Sequence, residues 1–300
     1  MEYHRPVLFH ESVDALAIKP DGVYVDVTFG GGGHSSLIVS RLTTGKLFSF
    51  DQDRDAEEQS KKIDSPAFQF VRANFRDLKK YLRLYGAKQV DGILADLGVS
   101  SHQFNVPERG FSTRFEGPLD MRMNAEAGTT AEEILQTYSE EQLHRIFGIY
   151  GEVKNAKTLA RTIVEKRARK SFETIGEFKQ AISSCTPKGK ENKYLAQVFQ
   201  ALRIEVNDEM KALEEMLEQA AEVLKPGGRL VVISYHSLED RLVKNFIAKG
   251  KFFGEVEKDL YGNEIKPLEA VNRKPIVPSE QELLENSRSR SAKLRIAEKK

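Results

Sequence analysis

The sequence predicts an α/β fold, a doubly wound and mainly parallel sheet with an inserted helical domain. Short apolar, β-rich runs alternate with helical periodicity through roughly the first hundred residues, the signature of βαβ units. That rhythm stops near Glu108 and returns after Val206, where the turn Lys225-Pro226-Gly227-Gly228 leads into the buried run Arg229 to Ser234. The sheet domain is therefore expected over 1–107 and 207–300, and the helical insertion over 108–206.

Taken in order, Val23-Tyr24-Val25-Asp26-Val27 reads as a buried strand and Ser35 to Leu42 as a helix. Leu47 to Phe50, Phe68 to Val71 and Gly92 to Ala95 are the next three strands, with a charged helix from Arg54 to Lys62 between the first two. In the insertion, Thr130-Ala131-Glu132-Glu133, Ser139-Glu140-Glu141-Gln142 and Thr174-Ile175-Gly176-Glu177 each fit the capping box that opens a helix. Leu195, Val198, Phe199, Leu202 and Val206 mark one amphipathic helix, and Met210, Leu213, Leu217 and Leu224 another. A helix near Leu238 to Ala248 follows the last buried run, and Ser291 to Ala297 reads as a final edge strand.

A chain of 300 residues and 33.9 kDa is long enough for a sizeable core. It is 40% hydrophobic and 30% charged, which excludes a disordered chain. No apolar run approaches the ~20 residues of a membrane span, and Met1 to Pro6 lacks the shape of a signal peptide, so a cytoplasmic protein is expected. A lone cysteine, Cys185, excludes an intramolecular disulfide and a multi-cysteine zinc site. None of the six histidines pair at metal-ligand spacing, so no metal is expected. The formal net charge is only +1, but Lys154 to Lys193 carries a local +7 and Ser287 to Lys300 a local +5. Such stretches suit phosphates; on charge alone, a solvated surface is the plainer reading.

Three segments carry chemistry. Asp26 to His34 places four consecutive glycines, Gly30 to Gly33, between a strand and a helix. Without Cβ atoms the backbone can approach a ligand, and the helix start offers free N–H groups. The spacing is not a clean G-x-G-x-x-G, and no lysine follows to hold a triphosphate. Asp51 ends the second strand, where a carboxylate can accept from both ribose hydroxyls of NAD or of S-adenosylmethionine; Asp53 is an alternative acid, more simply a solvated loop residue. Asp96 leaves the fourth strand and is followed by Gly98, Ser100 and Ser101. A nicotinamide enzyme does not usually require an acid there, whereas methylation of an exocyclic amine can use one to orient the nitrogen lone pair. His236 and Ser237, after the last buried strand, show no nucleophile-elbow pattern, and His236 reads as an ordinary strand-end residue.

With these segments in place the chain resembles the ribosomal RNA small-subunit methyltransferase H family, also called MraW. The resemblance rests on His4-Arg5-Pro6-Val7-Leu8 with Glu11, Asp26 to His34, Asp91 to Ser101 with Gln103, and Arg109-Gly110-Phe111-Ser112. It continues through Pro118 to Met123, Phe199 to Ile204, Ser234 to Arg241 and the basic tail Arg288 to Arg295. Two segments depart from the family pattern: Tyr194-Leu195-Ala196-Gln197-Val198 stands where His-Pro-Ala-x-Arg is frequent, and Asn286-Ser287-Arg288 where Asn-Pro-Arg is common.

The resemblance implies a class I S-adenosylmethionine-dependent methyltransferase acting on N4 of a cytidine in the decoding centre of 16S rRNA, within the small ribosomal subunit. It implies that Gly32, Gly33 and His34 hold the methionine end of the cofactor, Asp51 the ribose and Phe75 the adenine, with Asp96 and Gln103 completing the pocket. Asp96 is the catalytic candidate, with Ser100 as an alternative acceptor, and whether Asp96 is catalytic or only a cofactor ligand stays open. The helical insertion and the basic tail would grip RNA. The oligomeric state is open, a homodimer being one option. The rival readings are an NAD-dependent oxidoreductase and a non-catalytic RNA-binding protein. A DNA amino-methyltransferase would usually carry a Pro-Pro-aromatic motif after the acid, which is absent.

Overall fold

The computed structural model describes residues 6–300, so His4 and Arg5 of the amino-terminal motif lie outside the described residues. Two compact units divide the chain, one built from residues 1–98 and 210–300, the other from Val99–Glu209.

The first unit opens with α1 (Phe9–Ala15), β1 (Val23–Asp26), α2 (Gly33–Ser40), β2 (Lys46–Asp51), α3 (Arg54–Ser60), β3 (Phe68–Arg72), α4 (Leu78–Leu84) and β4 (Val90–Asp96). In the second unit follow α5 (Ser101–Asn105), α6 (Ala131–Thr137), α7 (Glu140–Ile149), α8 (Ala156–Arg167), α9 (Ile175–Ala181) and α10 (Glu191–Asn207). The chain then returns through α11 (Glu209–Val223), β5 (Leu224–Ser234), α12 (Ser237–Lys249), β6 (Leu268–Ala270), α13 (Glu280–Glu285) and β7 (Lys293–Lys299).

Among the described residues seven strands form one sheet in the order β3-β2-β1-β4-β5-β7-β6. The first five are parallel, and β7 pairs antiparallel with both β5 and β6. Side-chain alternation sends successive residues to opposite faces. Val25, Ile93 and Val232 join a core with Leu213, Leu217 and Ala220 of α11 and Leu242 and Phe246 of α12. Their neighbours Tyr24, Leu94 and Val231 pack on the other face with Val13 of α1, Leu16 just after it and Ile38 of α2. Helices thus cover both faces, which is why β1, β4 and the second half of β5 are buried along most of their length rather than alternating.

Two expectations need correction. Ser291 to Ala297 was expected as an edge strand, but β7 is interior and the short β6 forms the edge. The intervening segment and β6 are too poor in apolar residues to announce a strand locally; only pairing with β7 creates it. The turn at Lys225 to Gly228 is absorbed into β5 as a bulge: Val90 faces Leu224, and the next partners are Gly92 and Arg229. Gly227, at φ +78°, allows the detour, and the missing N–H of Pro226 falls where the ladder is already interrupted.

The second unit is helical, with one isolated bridge between Pro118 and Thr174. Thr130 and Ser139 close full capping boxes with Glu133 and Gln142. Thr174 caps α9 through Glu177 N–H, but the Glu177 carboxylate turns to Glu173 N–H instead. Leu135, Leu143, Phe147, Leu159, Ile163, Phe178, Val198 and Leu202 form its core. Among the described residues no helix is long and apolar enough to cross a membrane.

Candidate active site at the carboxyl edge of the sheet

Strand order decides which loops meet. The chain runs outward from β1 through β2 to β3, then crosses to β4 on the other side of β1, so the direction of winding reverses between β1 and β4. The carboxyl edge at such a reversal is where open α/β sheets take ligands. Here Asp51 ends β2, Asp26 ends β1, Asp96 ends β4, and Phe75 begins the short turn after β3.

The loop after β1 ties these ends together. Thr28 N–H donates to Asp26 Oδ1 at 3.1 Å, and Thr28 Oγ1 accepts Asp96 N–H at 2.6 Å. Gly30 N–H donates to Asp51 Oδ2 at 2.9 Å, and Asp53 N–H to Asp51 Oδ1 at 2.9 Å. Gly32 is the N-cap of α2 at φ +80°, and a Cβ there would stand 2.6 Å from the Phe29 ring. The glycine is thus required by both backbone and packing. As N-cap, Gly32 offers no side chain to the first-turn N–H groups of α2, which include Gly33 and His34.

Burial sets the charges. Asp26 is fully buried, accepts Ser35 Oγ–H at 2.7 Å, and is pushed up to about 6 by desolvation that these hydrogen bonds only partly oppose. Asp51 is pushed up to about 6 and Asp96 to about 7, again chiefly by burial, with the Asp26 charge adding to both. The buried His34 imidazole is pulled down to about 4, so it is neutral at pH 7. Its Nδ1 stands 3.8 Å from Asp96 Oδ2, and its Nε2 is buried without a partner among the described residues.

Of the residues expected at the cofactor, Gly32, Gly33, His34, Asp51 and Asp96 gather in the first unit, with Phe75 at the end of the neighbouring β3 and packed against the core beneath the sheet. Gln103 belongs to the second unit, where its side-chain oxygen accepts Ser100 N–H at 3.0 Å and its own N–H donates to Ser100 Oγ, a capping box at the start of α5. Ser100 is thereby engaged as a helix cap. Asp53 is not a solvated acid: it is buried and caps α3 by accepting Asp55 N–H at 3.0 Å. His236 is the N-cap of α12, accepting Glu239 N–H at its Nδ1, while Glu239 Oε2 accepts Tyr235 N–H at 2.8 Å.

Sequence reasoning missed Tyr235, whose phenol donates to Asp96 Oδ1 at 2.7 Å. The available signal was a hydroxyl-bearing aromatic directly after a buried strand. It likewise read Asp26 only as part of the glycine-rich segment, since nothing local says that its carboxylate is sealed from water.

The MraW methylase family model matches residues 1–300. The chain is 58% identical over 297 residues to a protein of Cytophaga hutchinsonii named Ribosomal RNA small subunit methyltransferase H, covering 99% of each chain. A Bacteroides thetaiotaomicron protein of the same name is 59% identical over 301 residues, covering 100% of this chain and 98% of the relative. Among solved structures, an rRNA methylase from Streptococcus thermophilus aligns over 100% of this chain and 98% of its own, with a TM-score of 0.43 and 13% identity. With a family model spanning its whole length and relatives this similar over theirs, the chain belongs to the MraW methylase family.

Proposed function

We propose that the protein is an S-adenosylmethionine-dependent rRNA methyltransferase that methylates N4 of a cytidine in the decoding centre of 16S rRNA, acting in the cytoplasm on the small ribosomal subunit. Family membership and the shared name of full-length relatives support an enzyme of small-subunit rRNA. One structural observation carries the choice of reaction: Asp96 ends β4 at the reversal of the sheet, with Oδ1 held by Tyr235 and Oδ2 lacking a hydrogen bond among the described residues of the first unit. An amine acceptor needs such an oxygen, and hydride transfer does not.

The residues fit the cofactor. The first-turn N–H groups of α2, which lack a side-chain cap, suit an anionic carboxylate. Each Asp51 oxygen takes one backbone N–H, which leaves acceptor capacity for two ribose hydroxyls. His34 Nε2, buried and without a partner among the described residues, is a further polar atom at that helix start. Phe75 offers an aromatic ring to the adenine. S-adenosylmethionine, when bound, supplies a methyl group on a positively charged sulfur.

The chain contributes position and electrostatics. Asp96 accepts a hydrogen of the cytidine amine through Oδ2, which directs the nitrogen lone pair toward the methyl group. Because burial brings Asp96 close to neutrality, it can also take the proton that the product amine sheds after transfer. Neutral His34 keeps a second positive charge away from the methyl donor.

RNA is gripped by the helical unit. Lys157, Arg161 and Lys166 of α8 and Lys188, Lys190 and Lys193 before and within α10 are exposed. In the basic tail, by contrast, Lys293 and Arg295 pair with Asp240, and Lys300 with Glu269, which leaves less charge for phosphates. Methyl transfer from labelled S-adenosylmethionine to unmethylated small subunits, naked 16S rRNA and duplex DNA, read by nucleoside mass spectrometry, tests the proposal. N4-methylcytidine from subunits is expected; a different methylated nucleoside, or no transfer, overturns it. Sedimentation of the purified chain decides between a monomer and the homodimer.

A further inference from the structure

We propose that Tyr235 is a positioning residue for methyl transfer: its phenol locks the Asp96 carboxyl so that Oδ1 is occupied and Oδ2 alone is presented to the amine. The inference deepens the methyl-transfer reading and rests on it. Tyr235 follows β5, the strand beside β4, so both residues emerge at the same sheet edge. The phenol donates to Asp96 Oδ1 at 2.7 Å, a short bond of the charge-assisted kind.

The tyrosine is itself fixed from behind. Glu239, on the first turn of α12, accepts Tyr235 N–H at 2.8 Å and His236 N–H at 3.3 Å. His236 returns the contact by capping Glu239 N–H. This reciprocal box pins the backbone of the two residues between β5 and α12, and the Tyr235 ring packs against the apolar core beside β5, which holds the phenol at Asp96. On the other side, Asp96 N–H is held by Thr28 Oγ1 at 2.6 Å. Asp96 is therefore fixed through its backbone by β1's loop and through one carboxyl oxygen by Tyr235. Its remaining oxygen faces His34 Nδ1 at 3.8 Å, too far for a hydrogen bond.

Among the described residues of the first unit, the groups that face Asp96 are Asp26 from β1, His34 from α2, Tyr235 just after β5 and Glu239 from α12. The two carboxylates disfavour ionisation of Asp96, His34 is neutral, and among the described residues Tyr235 is the side chain that donates to the carboxylate. Tyr235 is held far above the usual phenol range, so it stays a donor across the working pH. Removing its hydrogen bond should raise the Asp96 midpoint by about one pH unit, the size expected for a hydrogen bond to a charged group.

The test has two readouts. Carbon-13 NMR of the Asp96 carboxyl, titrated in the cofactor-free protein, should show the midpoint moving up in Tyr235→Phe. Site-specific 3-fluorotyrosine at position 235, a stronger donor of nearly the same shape, should move it down, which guards against a Phe variant that merely packs poorly. In labelled methyl transfer to small subunits, the acid limb of the pH profile should shift in the same directions. Tyr235→Phe should lose about fivefold at pH 7 from the shifted midpoint and a further part from the freed carboxyl, and that further part should persist at pH 9; full recovery at pH 9 overturns the positioning role. An unchanged midpoint in both variants overturns the proposal. A shifted midpoint with an unshifted transfer profile overturns the link to catalysis. Wild-type protein that transfers no methyl group overturns the function reading and the catalytic half of this proposal, while the titration still decides whether Tyr235 holds Asp96.

Discussion

Replacing Asp26 by Asn should stabilise the protein at neutral and alkaline pH and leave it nearly unchanged near pH 4. Asp26 is fully buried and pushed from 3.8 to about 6 by desolvation. In the unfolded chain it ionises near its ordinary value, so between these values the folded state binds the extra proton. Stability contributed by this site therefore falls as pH rises through that window. Two units correspond to a penalty of about 3 kcal/mol above the window, of which about 1.5 kcal/mol develops between pH 5 and pH 8. Asn carries no charge and keeps one acceptor for Thr28 N–H. Ser35 Oγ, which donates to Asp26 at 2.7 Å, also lies 2.8 Å from Ser49 Oγ, so it can turn its proton there and accept from the new amide. Allowing about 1 kcal/mol for imperfect re-bonding, the net gain at pH 8 is about 2 kcal/mol. Urea unfolding of wild type and Asp26→Asn at pH 5, 6, 7 and 8 measures it. The two stability curves should diverge as pH rises; parallel curves would refute the assignment of a desolvated carboxylate at the end of β1.

Asp96→Ala should abolish methyl transfer, and calorimetry should still detect cofactor binding; near-normal turnover would remove Asp96 from the chemistry. Asp51→Ala should weaken cofactor binding by about 10- to 100-fold, since two hydrogen bonds to a carboxylate are lost while Gly30 N–H is also orphaned; an unchanged Kd would place the ribose elsewhere. Gly32→Ala should cost about 2–4 kcal/mol of stability, because φ +80° and the Phe29 ring at 2.6 Å both reject a Cβ; thermal melting within a degree of wild type would contradict the loop geometry. Binding of 16S rRNA fragments should weaken steeply with salt, and charge reversal at Lys157, Arg161 and Lys166 should flatten that slope; a salt-independent affinity would exclude the helical unit as the phosphate grip.

The sequence by itself determined whatever is written in neighbouring residues. Apolar runs such as Val23 to Val27 and Gly92 to Ala95 announce buried strands, and Thr130 and Ser139 announce helix starts, because side chain and backbone there satisfy each other within one turn. Gly32, Asp51 and Asp96 were legible as candidate site residues because a strand's carboxyl end and a glycine-rich turn are local features with a general meaning in parallel sheets. Some local signals were still passed over: Leu159, Ala160 and Ile163 line the buried side of α8, yet the segment reads first as a basic stretch.

Tertiary structure alone decided partners and environments. That β7 lies inside the sheet depends on β6, distant in sequence and recruited only by pairing. Two of the tail's cations, Lys293 and Arg295, are paired because β7 lies beside α12 and its Asp240. Tyr235 meets Asp96 across 139 residues of chain, and His34 comes within 3.8 Å of the same carboxylate across two strand connections. The raised carboxyls follow from side chains scattered over the chain, which seal Asp26 from water and leave Asp51 and Asp96 only partly open to it. Burial is a sum over non-local neighbours, so an acid's place in the sequence can show that it stands at a site but not whether it is charged there.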